Sequence, residues 1–194
     1  MKRIIIALFA IILSSSLFAI DPKSTEVLLS LALEPDYLMG VTTTAPASGD
    51  TALTNVVNTI EMTYDQDTFE LEDTDGTHLV SYIFTEYKAC TLSAALDGNL
   101  ILDGKTSTDA ADDEQVAFEA DITVNGSAVN LKSSAMNSET LVTVTQDATN
   151  KDQRIFGSFK LVLKGSTASG DTGVRNKKIG AYSAHLVLTV AETA

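Results

Sequence analysis

The chain has 194 residues, 44% of them hydrophobic, and 26 acidic against 13 basic side chains, a formal net charge of −13. One Cys excludes an intramolecular disulfide scaffold, and one Cys with two His excludes an all-Cys/His structural zinc site. The acidic balance excludes a nucleic-acid binder, which needs a basic footprint, and the apolar fraction excludes general disorder.

Residues 1–19 read MKRIIIALFAIILSSSLFA. A basic pair, Lys2 and Arg3, precedes an unbroken apolar run from Ile4 to Leu13 and a small-residue stretch ending at Ala19. This is the order of a cleaved secretory signal peptide, and the apolar run is short of the roughly 20 residues that span a bilayer. The expected product is one exported domain, residues 20–194, located in the periplasm, at the cell surface or outside the cell. Membrane contact is expected only through the signal during export. Charge is uneven along that domain. Residues 20–150 hold 23 acids and four bases, whereas residues 151–194 hold three acids and seven bases.

From residue 25 onward the hydrophobic period is two. Val27, Leu29, Leu31 and Leu33 alternate until Pro35 stops the run. Val56, Ile60, Met62 and Tyr64 share one parity, and Val80, Tyr82 and Phe84 follow. Then come Cys90, Leu92, Ala94 and Leu96, and next Val116, Phe118, Ala120, Ile122 and Val124. Phe159, Leu161 and Leu163 alternate in turn, as do Tyr182, Ala184, Leu186, Leu188 and Val190. Such alternation puts one face of each strand in a core and the other toward water. Asp75-Gly76, Asp97-Gly98 and Asn125-Gly126 punctuate these runs. Asn-Gly between two alternating segments is a two-residue hairpin signal, because both central residues of a type I′ turn need positive φ. Residues 42–51 and 165–180 read as loops, the second of them basic. The expectation is an all-β, antiparallel, immunoglobulin-like β-sandwich of about eight to ten strands.

Candidate chemistry is sparse. The densest acidic stretch, DQDTFELEDTDG from Asp65 to Gly76, places Asp65, Asp67, Asp73 and Asp75 near one another in sequence. Oxygen ligands at alternate positions before a Gly suggest a calcium loop, yet Leu71 falls where the first acidic ligand of an EF-hand belongs and Tyr82 where the closing Glu belongs. A solvated acidic hairpin is the preferred reading, with no cofactor, and a non-EF calcium site is the alternative. There is no Gly-x-Ser-x-Gly elbow and no Gly-rich phosphate loop before a helix, so no catalytic residue is assigned and an enzyme is not expected. His78 and His185 both read as surface-facing or sheet-face residues rather than catalytic bases. Cys90 reads as a buried thiol acting as a small hydrophobe.

Three stretches carry a family resemblance. They are Thr25–Pro35 (TEVLLSLALEP), Leu79–Leu96 around the corner Thr85-Glu86-Tyr87-Lys88, and Gly180–Val190 (GAYSAHLVLTV). With its export signal and its Thr- and Ser-rich all-β pattern, the chain resembles the disulfide-free subunits of alpha-type bacterial fimbriae and related surface β-sandwiches. The resemblance implies a non-catalytic structural or surface protein. Its strand 20–33 would be offered to a neighbour by β-strand addition, with Val27, Leu29, Leu31 and Leu33 as the inserted side chains. Like subunits, or a surface-assembly system working by strand exchange, are then the expected partners. The alternative is a soluble periplasmic or secreted β-sandwich module that binds calcium or a glycan.

Overall fold

The structure is a computed structural model that describes residues 37–64, 70–73, 76–84, 89–145, 154–167, 174 and 176–192. All of these lie in one compact unit. The signal peptide, the strand at 20–33, Asp65, Asp67, Asp75 and the 85–88 corner lie outside the described residues.

The described chain is all-β and antiparallel. In chain order the strands are β1 (Tyr37–Thr42), β2 (Val56–Val57), β3 (Met62–Tyr64), β4 (Leu71–Asp73), β5 (Leu79–Phe84), β6 (Cys90–Leu96) and β7 (Leu100–Leu102). They continue as β8 (Gln115–Val116), β9 (Phe118–Val124), β10 (Ser127–Lys132), β11 (Ser138–Val144), β12 (Ile155–Gly165), β13 (Tyr182–Ser183) and β14 (Leu186–Glu192). One short 3₁₀ turn, Asp112–Glu114, precedes β8. The 14 strands exceed the eight to ten expected, because only eight have six residues or more and the rest are short. The other six are two- or three-residue pieces, several of them fragments into which the alternating runs break.

Three sheets form. The large one runs β10-β9-β12-β5-β1-β2, with β4 beside the far end of β12 and β3 beyond β4. The second is β11-β6-β14, and the third is the small set β13-β7-β8. A single buried cluster joins the inner faces of the first two. Val80, Tyr82, Phe84, Ile122, Leu131 and Leu161 come from the large sheet, and Cys90, Leu92, Leu96, Leu141 and Val144 from the second. Two faces sharing one core give a sandwich-like arrangement.

The elements follow their sequence cues. Along β6, burial alternates strictly between inward Cys90, Leu92, Ala94 and Leu96 and the partly exposed residues between them. Asn125-Gly126 closes the β9–β10 hairpin with φ of 50° and 81°, and Ser127 pairs with Val124. Asp97-Gly98 does not close a hairpin. It turns the chain out of the second sheet into β7, which pairs with β13 and β8.

Two expectations change. Val56–Tyr64 is not one strand but two short ones, β2 and β3, on different parts of the large sheet. Strand β5, expected to have a wet face, is buried on both. Ser81 (0% exposed) and Ile83 (1%) point away from the core cluster and are still covered. Ser81 Oγ shares a hydrogen bond of 2.7 Å with Thr42 Oγ1 on β1, which satisfies both buried hydroxyls.

An aromatic group ties three strands together. Tyr82 on β5 lies 5.0 Å from Phe84 and 5.8 Å from Phe159 of β12, and Tyr37 of β1 meets Phe84 edge-on at 5.3 Å. Opposite Tyr82 in the ladder stands Gly157, and the ring lies across the space a side chain there would fill.

Candidate functional site

Position decides what each candidate residue does. Asp73 is the one member of the calcium set within the described residues. It ends β4, and its Oδ2 lies 2.8 Å from Nδ1 of His78, just before β5. Both side chains are buried, at 2% and 3% exposure. His78 is thus an interior residue and not the surface one its position after a turn suggests. Among the described residues no three His, Cys, Asp or Glu side chains gather where a metal could be held. His185, by contrast, is exposed as expected, and its backbone N–H and Nδ1 both meet the carboxylate of Asp97 at 2.8 and 2.7 Å.

Part of the basic C-terminal segment folds onto acidic groups of the same chain, with Lys164 and Lys178 both paired to carboxylates. Lys178 Nζ donates to Glu114 Oε1 at 2.7 Å and lies 3.6 Å from Asp113. Its backbone N–H donates to the Asp113 carbonyl, and Lys177 Nζ donates to the Asp112 carbonyl at 2.6 Å. Lys105 adds a second cation 3.2 Å from Glu114. Glu114 also accepts the Ala111 N–H at 3.0 Å. These hydrogen bonds, Lys178 first, hold its carboxyl down at about 2 against the opposing effect of burial.

A second polar cluster covers the outer face of the large sheet. Alternation along β9 turns Phe118, Ala120 and Ile122 inward and therefore Glu119 and Asp121 outward. Register sets Lys164 of β12 opposite Glu119, and Asn130 of β10 opposite Asp121. Lys164 Nζ donates to Asp121 Oδ2 at 2.5 Å and lies 3.8 Å from Glu119. The Asn130 amide nitrogen donates to both carboxylates, at 3.0 and 2.7 Å. Glu119 is only 2% exposed, and the N–H and hydroxyl of Thr167 complete its shell. Burial pushes both carboxyls up, but the Asn130 and Lys164 contacts, with Thr167 as well at Glu119, outweigh it and leave each below its ordinary value. Lys164 is raised, first by its hydrogen bond to Asp121. The cluster sets one ammonium and the neutral Asn130 amide against two carboxylates and fastens residues 166–167 to β9. Sequence reading missed it, because its only sequence signal is an i, i+2 acid pair on an outward face.

Beside this cluster lies a cleft of about 230 Å³, floored by Leu71 and Val116 and bordered by Glu70, Glu72, Lys164 and Thr167. It is smaller than the roughly 300–1,000 Å³ of ordinary small-molecule sites.

The remaining feature is the edge of the second sheet. β14 pairs with β6 along its whole length, from Leu186 opposite Leu96 to Glu192 opposite Cys90. Among the described residues no strand pairs its other side. Its sequence, LVLTVAE, has no Pro, no Lys and one charge, at the end. The opposite edge, β11, is interrupted by a bulge between Thr140 and Val142, a device that blunts edges. β14 runs beside β1, where Tyr37 Oη donates to Glu192 Oε1 at 2.9 Å. Along this seam the core is incompletely covered. Leu186, Leu188 and Val190 of β14 and Tyr37, Met39 and Val41 of β1 all face the core yet stay partly exposed, whereas Leu92 on the neighbouring strand β6 is at 0%.

No protein-family model matches the chain, and no curated protein matches it.

Proposed function

We propose that the chain is an exported, non-catalytic structural protein of the periplasm or cell surface, with an immunoglobulin-like sandwich and pilin-like use of strand 20–33 for β-strand addition. The observation that supports this most is the seam at β14. A long, regular, almost uncharged edge with half-covered core residues is what an incoming strand needs. Main-chain hydrogen bonds to β14 would provide affinity, and alternate side chains entering the core would provide register. The run from Val27 to Leu33 has seven residues, as β14 has, and both extend over roughly 23 Å at about 3.3 Å per residue. Val27, Leu29, Leu31 and Leu33 would then lie against Leu186, Leu188 and Val190. Like subunits are the partners this reading supplies.

The test compares residues 20–194 with residues 36–194 by size and by melting temperature. The longer form is expected to associate, and to raise the melting temperature of the shorter one when mixed with it. A longer form that stays a stable monomer and never donates to the shorter one removes the strand-addition reading.

A further inference from the structure

We propose that Asn125 is a site of spontaneous deamidation, a modification placed at the tip of the β9–β10 hairpin. Both reacting groups are open. Asn125 and Gly126 are exposed, and a Cβ placed on Gly126 would meet nothing within 4 Å. The hairpin is closed by the Val124–Ser127 pair, so neither the Gly126 N–H nor the Asn125 side-chain amide is held by a hydrogen bond within the described residues.

Every other described asparagine is followed by a residue with a side chain, Thr59 after Asn58 and Lys177 after Asn176 among them, and four are also held by hydrogen bonds. Asn55 donates to Thr44, Asn99 to Gln115, Asn130 to Glu119 and Asp121, and Asn137 to Glu139. Each is followed by a residue with a side chain, Val56, Leu100, Leu131 or Ser138, which crowds the approach of the next nitrogen.

The chemistry needs only water. The Gly126 backbone nitrogen, having given its proton to solvent, attacks Cγ of Asn125. The new C–N bond closes a five-membered imide, and the Cγ–Nδ2 bond breaks to release ammonia. Water then opens the ring at either carbonyl and leaves an aspartate or an isoaspartate, so one amide and one water become one acid and one ammonia. The turn itself restrains the step, because Asn125 must rotate out of its left-handed backbone conformation, φ 50°, for Cγ to reach the nitrogen. Opening of the hairpin therefore gates the rate. An isoaspartate lengthens the backbone inside a two-residue loop, and this loosens the register that sets Asn130 opposite Asp121 and Lys132 opposite Glu119.

The experiment incubates residues 20–194 for weeks at mildly alkaline pH, native and in urea, and maps peptides by mass. Asn125→Gly serves as the control, since Gly-Gly keeps a type I′ turn and cannot react. The expected result is the small mass gain of an amide NH2 replaced by OH, confined to the peptide carrying Asn125. It should be partly isoaspartyl, faster in urea and absent from Asn125→Gly. A native chain that shows no gain there while the urea sample converts overturns the proposal. So does an equal gain at Asn55, Asn58, Asn99, Asn130, Asn137 or Asn176.

Discussion

Replacing Gly157 by Ala tests how the aromatic group is packed. The added methyl would lie 2.7 Å from Oη of Tyr82 and 2.9 Å from its Cε1 and Cζ, where ordinary contact begins near 3.4 Å. Relief requires the ring to shift by about 0.7 Å, and Phe84 and Phe159 flank it at 5.0 and 5.8 Å. Overpacking of this kind costs about 1–3 kcal/mol. The smaller unfolded-state entropy of Ala offsets roughly 0.4–1 kcal/mol of that cost. A net loss of about 1–2 kcal/mol lowers the melting temperature of a chain this size by about 3–6 °C. Urea unfolding followed by far-UV circular dichroism measures the loss, and the same substitution in a Tyr82→Ala background measures the coupling. The two effects should differ by about 1 kcal/mol or more, because the clash partner is gone. An equal cost in both backgrounds, or no cost in the first, refutes the packing described for Tyr82 and Gly157.

Four further outcomes are expected. Leu92→Ala, at 0% exposure in the centre of the second sheet, should cost about 2–5 kcal/mol in a denaturant titration. Glu114 has a folded-state pKa of about 2, below its unfolded value of about 4.3. Its stabilisation is therefore present above the unfolded value and is lost as pH falls from there through about 2. Glu114→Gln should flatten that part of the pH–stability profile, and an unchanged profile would contradict the ion-pair cluster with Lys178 and Lys105. Asp97→Asn touches an exposed pair with His185 and should change stability by less than about 1 kcal/mol by thermal melting. Millimolar calcium should leave the melting temperature unchanged, since Asp73 is already engaged by His78; a clear rise would favour the calcium-binding alternative.

Much of the fold was legible because the period-two signal is strong wherever one face is dry. β6, β9, β12 and β14 lie where Cys90–Leu96, Phe118–Val124, Phe159–Leu163 and Leu186–Val190 alternate. Asn125-Gly126 marked its hairpin because few other pairs accept two positive φ values. What stayed hidden depends on partners distant in sequence. Ile83 and Ser81 alternate as outward residues and are buried by tertiary cover that no local pattern encodes. Asp97-Gly98 is a turn in either case, and only the pairing of β7 with β13 shows that it leaves the sheet. The Glu119 cluster needs β9, β10 and β12 in register before it exists, with Lys164 standing 45 residues beyond Glu119. For the same reason the uneven charge along the chain did not show that Lys164 and Lys178 return to Asp121 and Glu114.

In the proposed strand addition, the outer edge of β14 accepts the segment around Val27–Leu33. Hydrogen exchange on residues 36–194, with and without a peptide of residues 20–35, tests it most directly. Strand addition predicts slowed exchange at the β14 amides that do not bond to β6, with the bulged edge β11 unaffected. Unchanged exchange along β14 at saturating peptide, or protection appearing at β11 instead, contradicts the account.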